Sequence, residues 1–323
     1  MKTAITLFVL IMAMCDCSCA QQSKAEPPRP TGPYLGQKPP GDTSELFAPG
    51  IVSTGNFEHS SPVFTRDLKE IYWSTIIEES GVTTARPIFH MKMISGVWSE
   101  PEIPSFAKKF ACSESPFISP EGNRLFFHAS NTIRPEKASI YYVDRIGNGW
   151  SEPIDVGEPI NISGFSGEPT ISKYGTIYYA GTHEKSDGLY YSKLVKGKYH
   201  KPVYMEEKFN SHQTDWTPYI APDESYFIFC SFRSGGFGSG DLYISFKQKD
   251  GSWGKIINMG DRINTEANER FPNVTPDGKY LFFNSTKKIQ GADTNGPGNG
   301  QGDVYWVDAK IIEELRRTEP TLN

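Results

Sequence analysis

The sequence predicts an all-β chain: a single five-bladed β-propeller of four-stranded antiparallel blades, closed by a strand from the N-terminal segment. Two observations carry this. One pattern recurs five times, and its copies hold four short strands each, except the last, which lacks its fourth. Aligned on a proline, the copies begin SSPVFTRDLKEIYW, ESPFISPEGNRLFF, GEPTISKYGTIYY, WTPYIAPDESYFIF and RFPNVTPDGKYLFF. The anchors Pro62, Pro116, Pro169, Pro218 and Pro272 stand 54, 53, 49 and 54 residues apart. A period of that size marks a repeat architecture in which each copy is one supersecondary unit.

Within a copy the elements follow in order. A short apolar strand comes after the proline, with Phe64, Ile118, Ile171, Ile220 and Val274 in equivalent places. A tight turn follows, clearest at Pro276-Asp277-Gly278, where proline pre-sets φ and glycine accepts positive φ. Next comes an aromatic strand such as Leu125-Phe126-Phe127, then a third strand such as Ile140-Tyr141-Tyr142. Gly96/Trp98, Gly149/Trp150, Gly197/Tyr199 and Gly251/Trp253 open the fourth. Short aromatic and β-branched runs punctuated by Gly, Pro, Asp and Asn are antiparallel β-structure, and four per copy is a propeller blade. The last copy ends at Val304-Tyr305-Trp306 and turns helical over 310–317. The segment Phe47–Ser53, with no strands of its own, is expected to supply the missing strand, so that no long sheet edge stays open. Six blades are the alternative, though they need more chain than the N-terminal segment offers. Length excludes seven.

Residues 1–20 have the make-up of a signal peptide: Lys2, an apolar run from Ala4 to Met14, and the small-residue site Ser18-Cys19-Ala20. The expected location is periplasmic or secreted. An outer-membrane lipoprotein, anchored through Cys15, Cys17 or Cys19, is the alternative. Residues 21–45 form a proline-rich lead-in, 46–317 the propeller and 318–323 a tail. Cys112 and Cys230 fall at different places in the repeat, so no disulfide is expected and the core must hold the fold. The net charge of −5 without a basic run speaks against nucleic acid as a partner. No later segment suits a membrane span, and a monomer is expected.

Propellers bind ligands at the mouth of the axial channel, which two sets of loops reach. Before the anchors stand Glu58-His59, Ser113-Glu114, Glu168, His212 with Asp215-Trp216, and Glu269-Arg270. After the second strands stand His128, Arg134, His183, Arg233 and Lys287. Four of the six histidines (His59, His128, His183, His212) thus map to one face, a candidate acid–base or metal cluster. Histidines in such loops also serve as plain hydrogen-bonders. Arg233, in a glycine-rich loop, is expected to brace its own blade, and the acidic residues before the anchors can tie blades together. Trp216 offers an apolar face and one N–H donor, which suits a sugar ring; packing between blades is the competing role. The loop Gly291–Asp303 lacks the spacing and terminal glutamate of an EF-hand.

The proline-anchored Ser-Pro-Asp-Gly-like starts, with the Asp-Leu-Tyr and Gly-x-Trp-x-x-Pro strands, resemble TolB-type propeller repeats of exported bacterial proteins over nearly all of the mature chain. Gly32-Pro33-Tyr34-Leu35-Gly36-Gln37 and Phe47-Ala48-Pro49-Gly50-Ile51 are similar to a subgroup found beside polysaccharide-degrading enzymes. The chain as a whole is also similar to ulvan-oligosaccharide dehydratases. That resemblance implies a carbon–oxygen lyase acting on uronic-acid oligosaccharides. Such an enzyme needs a cation to neutralise the carboxylate, a base for the C5 proton and an acid for the oxygen leaving C4. On it, Arg270 is the expected neutraliser with Lys287 as substitute, and His59 and His212 are base and acid. Trp216, Glu114 and Asp215 would contact substrate, and His128 with His183 would hold a divalent metal if one takes the neutralising role. A non-catalytic propeller binding a glycan or a periplasmic protein is the rival.

Overall fold

A computed structural model describes residues 29–318 except 135–136, 163, 184–185 and 212. Five antiparallel sheets form the five blades. The first holds Val63–Phe64, Glu70–Glu79, Ile88–Ile94 and Val97–Trp98, with Phe57–Glu58 extending its inner edge. The second holds Cys112–Ile118, Arg124–Ser130 and Ser139–Ile146; its fourth strand is split into Gly149–Trp150 and Ile154–Asp155. The third runs Ser166–Ile171, Ile177–His183, Ser186–Ser192 and Val203–Tyr204. The fourth runs Asp215–Ile220, Tyr226–Ser231, Asp241–Phe246 and Ile257–Asn258. The fifth pairs Glu269–Val274, Tyr280–Ser285 and Asp303–Asp308 with Glu45–Leu46 from the other end of the chain.

The second strand of each blade lies between neighbouring blades, so both its faces are covered and its sequence is apolar without alternation. Leu125, Phe126 and Phe127 are all buried, as are Phe227, Ile228 and Phe229. In blades one and five the turn before this second strand is pinned by a carboxylate. Asp277 Oδ1 accepts from Thr275 Oγ1 at 2.7 Å and from Lys279 N at 3.2 Å, and Asp67 makes the same pair of bonds to Thr65 and Lys69. Ile311 and Ile312 of the helix Lys310–Thr318 pack into the core.

Closure differs in detail from the expectation. The pairing strand is Glu45–Leu46, in register with Trp306 and Tyr305, and only Phe47 continues it, donating to Val304 O at 2.8 Å. Beyond Phe47 the chain cannot stay extended: Ala48 and Gly50 adopt positive φ and turn it back, so that Ser53 Oγ meets Val304 N at 3.0 Å. The turn lets the Phe47 ring sit 4.9 Å from Phe282 and 5.1 Å from Trp306. The lead-in is also anchored over its described part. Tyr34 is buried against Phe64, Tyr280 and Trp306, its hydroxyl donates to Asp277, and Trp98 Nε1 donates to Gly32 O at 2.8 Å.

Three of the acidic residues before the anchors serve the fold. Glu58, Asp215 and Glu269 each accept hydrogen bonds from the residue four positions earlier: Thr54, Ser211 and Thr265. Burial pushes the Glu58 carboxyl up to about 8 and that of Asp303 up to about 6. A carboxyl raised on folding binds its proton more tightly in the native state, so its contribution is full below the unfolded value and is lost as pH rises through the folded one. Glu70, Glu224 and Asp277 are depressed and act in the opposite sense at low pH. Thermal stability is therefore expected to peak on the acid side of neutrality and to fall toward pH 9 or so. Glu58→Gln should flatten that alkaline limb; an unchanged limb in thermal melts across pH would remove Glu58 as its source.

The signal-peptide and lipid-anchor expectations fall on residues 1–28, outside the described residues, as does most of the C-terminal tail. Among the described residues no helix is long and apolar enough to cross a membrane.

Candidate functional site

The inner strands of four blades carry a bulge next to the anchor proline, and the residue before that proline has a left-handed backbone. Ser115, Glu168, Thr217 and Phe271 have φ of 50°, 55°, 51° and 53°. That conformation is costly for non-glycine residues, more so before proline, and persists only where the surroundings enforce it. One residue earlier, Glu114, Gly167, Trp216 and Arg270 pair with His128, Ala180, Cys230 and Asn284 at one shared register. Blade one has one residue more between pairing and anchor, so His59, bonded through its N–H to Ser74 O at 2.8 Å, takes the matching place. One ring at the mouth thus holds His59, Glu114, Gly167, Trp216 and Arg270.

Glu114 is the hub of this ring. It is fully buried, and its Oε2 accepts from Arg86 Nε at 3.0 Å, Arg86 Nη2 at 2.9 Å and the Cys112 thiol at 3.3 Å. His59 Nδ1 lies 2.9 Å from Oε1, off the line of a hydrogen bond, and His128 Nε2 lies 3.5 Å from Oε2. Burial alone would raise the Glu114 carboxyl, but His59 and His128 beside it hold it well below the usual range. Burial lowers His59 although Glu114 opposes this, so its ring is neutral at neutral pH. Nδ1 faces the carboxylate without a hydrogen bond to it, which leaves Nε2 for other chemistry. Arg86 comes from the hairpin in which Glu70–Glu79 runs past its blade and returns through Val82–Ala85.

Around the hub opens a cleft of about 910 Å³ lined by His59, Arg86, Glu114, His128, Phe165, Glu168, Thr182, Asp187 and Trp216. The rings of Phe165 and Trp216 stand 5.7 Å apart on one wall. Gly167 keeps room for that wall, since a Cβ there would lie 2.4 Å from the Phe165 ring and 3.1 Å from His128 Nδ1. Glu168 Oε2 accepts from Thr217 N at 2.7 Å, and burial pushes its carboxyl up to about 7. Arg270 lies with its guanidinium 5.2 Å from the Phe57 ring and 5.6 Å from that of Phe271. Its Nε is buried with no hydrogen-bond partner, and among the described residues no carboxylate forms an ion pair with it.

The structure thus brings His59, Glu114, His128 and Trp216 to the cleft, sets Arg270 in the same ring but outside the cleft's lining, and disperses the rest. Asp215 faces away from the cleft, where Ser211 and Arg233 hold it; Arg233 braces its blade as expected. Lys287 is exposed and does not line the cleft. His212 lies outside the described residues. His183 hydrogen-bonds Tyr179 at 2.6 Å and lines a different cleft.

The expected metal pair is therefore not assembled. Cys112, Glu114 and His128 do hold donor atoms within 4.8 Å of one another. They do not fit a metal. Burial raises the Cys112 thiol and keeps it protonated, while Arg86 occupies the oxygen of Glu114. Glu168 N donates to His128 Nδ1 at 3.2 Å, which takes the ring's lone pair and puts the proton on Nε2. His128 instead ties blade two to blade three. Arg86 and Phe165 are not among the residues the sequence pointed to, whereas Glu168 does tie two blades, as the acidic residues before the anchors can.

No family model matches this chain, and no curated protein matches its sequence. Several solved structures resemble it. TolB from Acinetobacter baumannii has 13% identity and a TM-score of 0.45, covering 79% of this chain, which spans only 57% of TolB. A Dyadobacter fermentans protein of unknown function has 14% identity and a TM-score of 0.49, covering 86% of this chain and 85% of its own. An α-L-arabinofuranosidase from Lactobacillus brevis has 13% identity and a TM-score of 0.48, covering 79% and 92%. Such likenesses say nothing of activity. The chain is a five-bladed β-propeller by its own strand order, with its polar ring at one mouth of the channel.

Proposed function

We propose that this mouth binds uronate-containing oligosaccharides and carries out β-elimination on them, as an exported protein of polysaccharide breakdown. The observation that carries the reading is Arg270, a half-buried guanidinium stacked on Phe57 and Phe271 without a carboxylate of its own. A guanidinium whose buried Nε has no hydrogen-bond partner, and which has no ion pair among the described residues, suits an anionic ligand. The uronate carboxylate meets that need, and the Trp216–Phe165 wall offers an aromatic face for its ring.

The chemistry follows from the neighbours. His59 Nε2 takes the C5 proton, made acidic by the carboxylate that Arg270 neutralises. The electron pair forms the C4–C5 double bond, the C4–O bond breaks, and the departing oxygen takes a proton from Glu168. Glu168 suits this because burial keeps a substantial fraction of it protonated near neutral pH. Glu114 holds the His59 ring in place. This assignment replaces His212 as acid with Glu168.

The test is incubation with uronate oligosaccharides, following the ultraviolet absorbance of the conjugated product and separating water loss from chain cleavage by mass. Arg270→Ala should lower kcat/KM by about 100-fold or more. His59→Ala should lower kcat by about 100- to 10,000-fold, and both variants should melt near wild type. Chelator should change nothing. Substrates that bind and are recovered intact would make this a glycan-binding propeller instead.

A further inference from the structure

The mouth does not end at its first cleft. In blade three the strands Ile177–His183 and Ser186–Ser192 form a hairpin whose successive residue pairs face opposite ways. Thr182 and Asp187 pair and line the cleft of the candidate site, whereas His183 and Ser186 pair and line a second cleft of about 1010 Å³. Ile162, Tyr190 and Tyr204 form much of its remaining wall. A single sheet separates the two.

The second cleft has the surface of a sugar site. Tyr204 is 44% exposed, yet its ring is held edge-on to Tyr190 at 5.1 Å. Both hydroxyls are tied to the hairpin backbone: Tyr190 donates to Ser186 O at 2.9 Å and Tyr204 to Asp187 O at 3.4 Å. A ring fixed in advance and open on one side loses little entropy when a pyranose stacks on it. Asp187 links the clefts, its side chain lining the first and its carbonyl anchoring the aromatic wall of the second.

We propose that the second cleft is a distal subsite, which takes the outer sugar residues of an oligosaccharide whose reacting residue lies between Trp216 and Arg270. The ligand is then a chain that crosses the blade-three hairpin. This rests on the uronate reading of the first cleft.

The experiment is isothermal titration of the full chain with 4-linked glucuronate disaccharide and hexasaccharide, for wild type, Tyr204→Ala and Tyr204→Phe. The hexasaccharide should bind wild type about tenfold more tightly than the disaccharide. Tyr204→Ala should remove that gain and leave disaccharide affinity unchanged, and Tyr204→Phe, which keeps the ring but loses its tie to Asp187 O, should keep part of it. Equal affinity for both lengths in wild type, or a gain that survives Tyr204→Ala, overturns the subsite while leaving the first cleft intact. No binding of either length overturns the uronate reading, and the subsite falls with it.

Discussion

Glu114→Ala is expected to cost the ring about 3–5 kcal/mol of stability, the usual cost of leaving a buried charge without its partner. The side chain is fully buried, and its loss strands the Arg86 guanidinium, whose Nε and Nη2 both donate to it. Arg86 sits on the hairpin of blade one and Glu114 on the inner strand of blade two, so the loss falls on the seam between them. The same substitution frees the His59 ring and should abolish turnover. Glu114→Gln keeps an acceptor for Arg86 and should be milder in stability, but without the charge it should still impair His59. Thermal and urea denaturation of both variants checks this; a Glu114→Ala protein as stable as wild type would show that Arg86 finds other partners or water.

The second large effect is on closure. A chain begun at Thr54 lacks Glu45–Leu46, the Phe47 ring and the buried Tyr34 and Leu35, and leaves Asp303–Asp308 as an open edge. Such an edge pairs with other chains. The truncated protein is expected to lose its cooperative melt and to associate, as seen by circular dichroism and size-exclusion chromatography. Phe47→Ala, which empties a fully buried site among Phe64, Phe282 and Trp306, should keep the fold at a cost of about 3–5 kcal/mol. Cooperative melting of the truncated chain near the wild-type temperature would mean that four blades and an open fifth suffice.

The fold was readable because each blade repeats the same local pattern: a proline anchor, a tight turn, and an aromatic strand covered on both faces. The site was readable in part. Glu114, Trp216 and Arg270 share a repeat position that deviates from copy to copy, and such deviation at a conformationally strained place is visible in the alignment. Arg86 was hidden because its hairpin belongs to blade one alone and lies outside the repeat. His183 was misplaced for a reason of parity: it follows its strand as expected, but one step along a hairpin reverses the face, and Thr182 rather than His183 meets the cleft. The role of Asp215 was legible in hindsight, since Ser211 precedes it by the same four positions that separate Thr54 from Glu58 and Thr265 from Glu269.

The pairing of Glu45 with Trp306 joins residues 261 positions apart in the chain, whereas the strands within each of the other blades are near neighbours in sequence. Bringing ends that distant together is entropically slow, and topology of this kind governs folding rate more than size does. Blades can thus assemble one after another as an incomplete arc, with ring closure as the final step. During synthesis the polypeptide must stay such an arc until its last strand is delivered. During that interval Tyr34, Phe47 and Phe64, whose rings pack on the last blade in the closed fold, stay exposed.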